Sequence, residues 1–156
     1  MTPNEYVEQM EEISVQLLNE LNSGTGWFKE IKRLDVKSPI DFTARDTKNR
    51  IFAIEVKLRY CDLFKYETIF LNPEKYNALK AAGKAGFIPL YINFFQCSDT
   101  FIAWDMRNTE PCKVTEEVVP NTARNCTELV TKYHLAIRQG LCFQRNIETG
   151  KYERRW

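Results

Sequence analysis

The chain has one histidine, His134, among its 156 residues, and that scarcity removes mechanisms built on paired imidazoles, such as a zinc protease or an HNH-type nuclease. Its five cysteines, Cys61, Cys97, Cys112, Cys126 and Cys142, are odd in number and widely spaced, which disfavours both a disulfide framework and a CxxC zinc site. Reduced thiols and a cytoplasmic location are the expectation. No run approaches the roughly 18 apolar residues of a membrane span, and the opening "MTPNEYVEQMEE" is acidic where a signal peptide carries positive charge. No membrane partner is expected. Motifs of the GxSxG, GxxxxGK[ST] and GxGxxG types are missing as well, so serine-hydrolase, P-loop and dinucleotide-binding readings have no footing. Net charge is lacking too: 22 basic and 21 acidic residues leave +1, so a nucleic-acid partner has to be met by a local patch.

What is present is enough apolar material to fold. At 44% hydrophobic and 13% aromatic the composition is that of a globular protein, and the length suits one domain over residues 1–156. Thr2, Pro3 and Glu5 form a capping-box start, and Tyr6, Met10, Ile13, Leu17, Leu18 and Leu21 recur at helical spacing up to "NSGTG", predicting a helix over 3–22. "GWFKEIKRLDV" offers a short strand near 27–36. "SPIDFTAR" and "RIFAIEVKLR" flank the turn-forming "DTKN" and read as an antiparallel hairpin, with a further strand over Tyr66–Leu71. Asn72 and Pro73 open a second helix that Gly83 should close. "GFIPLYINFF" and "TFIAWDM" follow as strands, the first nearly continuous in apolar residues like a strand covered on both faces; its aromatics and those of the next strand read as packing. Beyond Asn108, "KVTEEVV" and "TKYHLAI" each fit a strand, although "TELVTKYHLAI" also fits a helix. The basic stretch from Arg138 to Trp156 reads as a solvated terminus in preference to a phosphate-contacting segment.

The hairpin holds the anomaly. Asp41, Glu55 and Lys57 stand among Ile40, Phe42, Ile51, Phe52, Ile54 and Val56, and charges in such surroundings need a partner or a metal. Glu55 and Lys57 share one face of their strand, about 7 Å apart. A three-residue loop at Thr47, Lys48 and Asn49 would set Asp46 against Arg50 and, counting back, Asp41 against Glu55, with cross-strand neighbours about 5 Å apart. Two carboxylates at that distance repel unless a cation lies between them, and hard oxygen ligands suit Mg²⁺ or Mn²⁺. The Val56 backbone carbonyl can add a ligand, and Lys57 would stand beside the ion. The rival explanation is a plain Asp41–Lys57 ion pair, with Glu55 facing solvent on an edge strand.

Pro39-Ile40-Asp41 followed by Glu55-Val56-Lys57 resembles the signature of the PD-(D/E)xK phosphodiesterases, the restriction-endonuclease-like superfamily that includes Holliday junction resolvases and many phage nucleases; Ile40 intervenes where Pro normally precedes Asp directly. The resemblance implies an α/β fold with an α-β-β-β-α-β core, a central mixed sheet flanked by helices, here over about 3–107, with a β-rich extension over about 108–156. It also implies metal-dependent hydrolysis of nucleic-acid phosphodiesters, DNA first among them, with Asp41, Glu55 and Lys57 as the catalytic set and Mg²⁺ or Mn²⁺ as cofactor. A homodimer is a common arrangement in the superfamily. A further acid often joins from the first helix: Glu8, Glu11, Glu12 and Glu20 compete, and Glu67 is a candidate from the next strand. Arg59, Lys65, Lys75 and Lys80 are candidate nucleic-acid contacts. The alternative function is a non-catalytic protein of the same fold that binds nucleic acid or serves in an assembly.

Overall fold

The computed structural model describes all residues from Met1 to Trp156. A seven-stranded mixed sheet forms its centre, in the order β1 (Glu30–Arg33), β2 (Phe42–Arg45), β3 (Ile51–Arg59), β5 (Ile88–Phe95), β6 (Thr100–Asp105), β9 (Leu141–Arg145) and β10 (Tyr152–Arg154). Only β3 and β5 run parallel. Parallel neighbours need a crossover, and helix α2 (Pro73–Lys84) supplies it. A smaller sheet orders β4 (Thr68–Leu71), β8 (Cys126–Ala136) and β7 (Lys113–Asn121). No helix is long and apolar enough to cross a membrane.

Strand alternation divides the core in two. Phe52, Ile54 and Val56 of β3 face α1 (Pro3–Thr25) and pack with its Leu17, Leu18 and Leu21, while Ala53 on the other face joins Leu79 of α2, Ile69 and Leu71 of β4 and Leu135 of β8. Leu18, Leu21, Ile54 and Leu79 are fully buried, each stabilising the fold by about 1.5–3 kcal/mol relative to exposure.

The expected hairpin register is present: Phe42 pairs with Ile54 and Arg45 with Ile51, and the Asp46 N–H donates to the Arg50 carbonyl at 3.1 Å. Asn49 takes the left-handed conformation at φ 59°, and Asp46 Oδ1 accepts from the N–H groups of Lys48 and Arg50, both at 2.9 Å, which fixes the loop. The capping box at Thr2 and Glu5 also forms.

Several expectations change. The first helix runs through "NSG" to Thr25, and Gly26 at φ 65° ends it. Gly24 lies inside the helix, and a Cβ there would overlap the Tyr152 carbonyl oxygen, so glycine permits β10 to approach. The second helix passes Gly83 and closes at Ala85, with Gly86 at φ 98° turning the chain out. The strand at Thr68–Leu71 belongs to the small sheet, where it pairs with β8. Of the two readings open for "TELVTKYHLAI", the strand holds, through Ala136, with β7 on one side and β4 on the other. The basic C-terminal stretch is not a solvated tail: β9 pairs with β6, and Arg145 bonds Asp99, Glu20, the Gly150 carbonyl and the Tyr152 hydroxyl.

Candidate functional site

Glu55 lies on β3, paired with Tyr91 of β5 on one side and just past the end of the β2 ladder on the other, and only 8% of the residue reaches solvent. Asp41 is the last residue before β2. Ile40 anchors that approach in the core, and Asp41 Oδ2 accepts the Val56 N–H at 3.1 Å, tying the carboxylate to the strand that carries Glu55. In a strand the N–H and C=O of one residue leave on the same edge, so the Val56 carbonyl also points towards the Asp41 side.

The third member of the cluster comes from α2. Asn72 caps the helix by accepting the Lys75 N–H at 2.9 Å, Pro73 begins it, and Lys75 is thereby set in its first turn above the sheet. Its ammonium lies 3.0 Å from Glu55 Oε1, 3.1 Å from Glu55 Oε2, 3.1 Å from the Pro39 carbonyl and 4.0 Å from Asp41 Oδ1. The rival Asp41–Lys57 ion pair does not form: the ammonium at the carboxylates is that of Lys75, closest to Glu55, and Glu55 is buried instead of exposed on an edge.

Burial pushes the Glu55 carboxyl up to about 8; the neighbouring Asp41 charge adds to the rise, and the Lys75 ammonium opposes it. The acid therefore changes charge just above neutrality. Alternation carries Lys57 and Arg59 onto the same face as Glu55, and they line one cleft with Lys75, Asn72 and Tyr91, of about 260 Å³. Lys57 is exposed there. Arg59 is held firmly: its guanidinium donates to Asn93 Oδ1 at 2.8 Å, the Phe70 carbonyl at 3.0 Å and the Tyr91 hydroxyl at 3.2 Å. Burial raises the Tyr91 pKa, with Arg59 pulling it down.

The remaining sequence candidates lie apart from this cluster. Glu20 pairs with Arg145 at 2.8 Å and Glu11 with Arg33, while Glu8 and Glu12 are exposed. Glu67 is exposed on a second, larger groove. No three His, Cys, Asp or Glu side chains gather into one group. Lys80 pairs with Glu110 at 2.9 Å, and Lys65 lies over the Tyr66 ring. His134 bridges Thr68 and Thr115 at 3.1 and 2.6 Å.

Two residues take a place that the sequence does not suggest. By spacing alone Lys75 belongs to the surface, and only the packing of α2 over β3 turns it inward. Asn93 is fully buried, with Nδ2 lacking a hydrogen-bond partner, and its one signal is a lone Asn within the apolar run "FIPLYINFF".

The oxygen atoms of the cluster turn towards one positive charge, supplied by Lys75. Both Glu55 oxygens and the Pro39 carbonyl converge on the Lys75 ammonium, with Asp41 behind them, so an all-oxygen seat already surrounds a positive charge. Comparison of the chain with family models, curated proteins and solved structures returned no match.

Proposed function

We propose that the protein is a divalent-metal-dependent phosphodiesterase acting on nucleic acid, with DNA as the first substrate to test, in the manner of the PD-(D/E)xK nucleases. The observation that carries this reading is the pairing of Asp41 with buried Glu55 around one cationic seat, beside Lys57 and Arg59. Once β4, which leaves for the small sheet, is set aside, the order α1, β1, β2, β3, α2 and β5, with β3 and β5 parallel, supports a restriction-endonuclease-like core.

Asp41 and Glu55 would hold Mg²⁺ or Mn²⁺, which when bound lowers the pKa of water and neutralises phosphate charge. Lys57, exposed at the cleft, meets the anionic phosphate, and the first turn of α2 presents the positive end of its dipole on the same side. Arg59 stands fixed by its three acceptors, so a phosphate oxygen binding it meets a donor already oriented. In the hydrolysis, a water oxygen bonds to phosphorus, the P–O bond to the leaving sugar oxygen breaks, and that oxygen gains a proton.

A second reading draws on Lys75. Its ammonium already offsets the two carboxylates, as a charge cluster kept for a non-catalytic binding or assembly protein would require. The test is a cleavage screen with Mg²⁺ and Mn²⁺ over single-stranded and duplex DNA and RNA, for wild type, Asp41→Asn, Glu55→Gln and Lys57→Ala. Cleavage that falls at least about a hundredfold in all three variants, with folding retained, supports the enzyme. Absence of variant-sensitive cleavage supports the second reading.

A further inference from the structure

A groove of about 740 Å³ opens between the end of β3 and the small sheet. Arg59 and Phe70 line both this groove and the carboxylate cleft, so the two adjoin. Its charge is unlike that of the whole chain: Arg59, Lys65, Lys113 and Lys132 face Glu67 and Glu117, a local surplus of positive charge on a protein whose total is +1. Glu117 is already engaged by Lys132 at 2.8 Å.

Aromatic rings alternate with those cations. Tyr60, Tyr66 and Phe70 are 63%, 59% and 41% exposed, although large apolar side chains are ordinarily sheltered. The Lys132 ammonium stands 4.2 Å from the Phe70 ring centroid, and the Lys65 ammonium 5.6 Å from that of Tyr66. Cations meet phosphates and exposed rings meet unstacked bases, and this interleaving is what a strand without a complementary partner requires. A duplex keeps its bases stacked inside and offers nothing to the rings.

We infer that this groove binds single-stranded nucleic acid and leads the strand to Asp41 and Glu55. The inference rests on the phosphodiesterase reading for its direction, and it names the substrate class of that site. Tyr66 and Lys113 are exposed, so replacing them probes the surface without touching the core.

The experiment is fluorescence anisotropy with labelled 15-mers of dT and of U, a duplex 15-mer and polyglutamate, in EDTA so that no strand is cut. Both single strands should bind, the duplex at least about tenfold more weakly, and Tyr66→Ala should weaken single-strand binding about tenfold. Lys113→Glu should flatten the plot of log affinity against log salt by about 0.7 or more for each phosphate left without its cation. A dT preference over U would mark DNA as the source of the strand, and the reverse would mark RNA. The inference is overturned if neither single strand binds in low salt, if the duplex binds equally well, if both groove variants bind like wild type, or if polyglutamate alone binds, which would assign the groove to an acidic protein. Asp41→Asn with Glu55→Gln separates the two proposals: single-strand binding retained in it supports the groove, whatever the cleavage screen says of the catalytic reading.

Discussion

Replacing Glu55 by Gln removes the charge and keeps nearly the same shape, so it isolates the cost of a buried carboxylate. The carboxyl titrates at about 8 in the folded chain against an ordinary 4.5, chiefly because it is buried. The folded state therefore binds more protons than the unfolded state between those values, and stability falls as pH rises across the window. Each pH unit is worth about 1.4 kcal/mol, so the wild type should lose roughly 3 kcal/mol from this group by pH 7 and roughly 4 kcal/mol by pH 8 relative to pH 4.5, the loss levelling off as the folded carboxyl itself ionises. With only 8% of Glu55 exposed, solvent screening does little to reduce that loss. The glutamine variant carries no such dependence. Urea unfolding of both proteins from pH 4.5 to 9 should show the difference growing in favour of the variant, by about 1–3 M in midpoint at the alkaline end if the slope is about 2 kcal/mol/M. A difference that stays constant with pH, or one that turns in favour of wild type as pH rises, would refute the reasoning, because it would mean that the Lys75 ammonium outweighs burial and the Asp41 charge.

The proposed cation seat gives the same acid a second measurable consequence. Mn²⁺ titrated calorimetrically at pH 7 in buffers of different ionisation enthalpy should release about one proton per ion, falling towards zero by pH 9, since Glu55 must ionise to bind; a proton count independent of pH would separate Glu55 from the cation seat. Gly24→Ala should destabilise the fold by about 1–3 kcal/mol, because its Cβ would meet the Tyr152 backbone oxygen at 2.3 Å and backbone cannot swing aside. Thermal unfolding should record a fall of several degrees, and an unchanged midpoint would show that α1 and β10 part without cost.

The local elements are legible because their signals are local. A capping box, an Asn-Pro helix start and a turn-rich loop each act within a few residues, and the hairpin register follows from loop length and alternation, which is why counting alone brings Asp41 and Glu55 together. The acidic pair is thus determined by sequence alone. Lys75 is not: its ammonium lies 20 residues from Glu55 in sequence, and its approach depends on how α2 packs on the sheet. The assignment of Thr68–Leu71 to the small sheet, the strand state of Cys126–Ala136 and the joining of β9 to β6 depend likewise on partners far along the chain. β-structure is completed by hydrogen bonds to another strand, so where a strand goes is decided only when its partner arrives. The sequence chose the charges, and the tertiary structure chose which cation faces them.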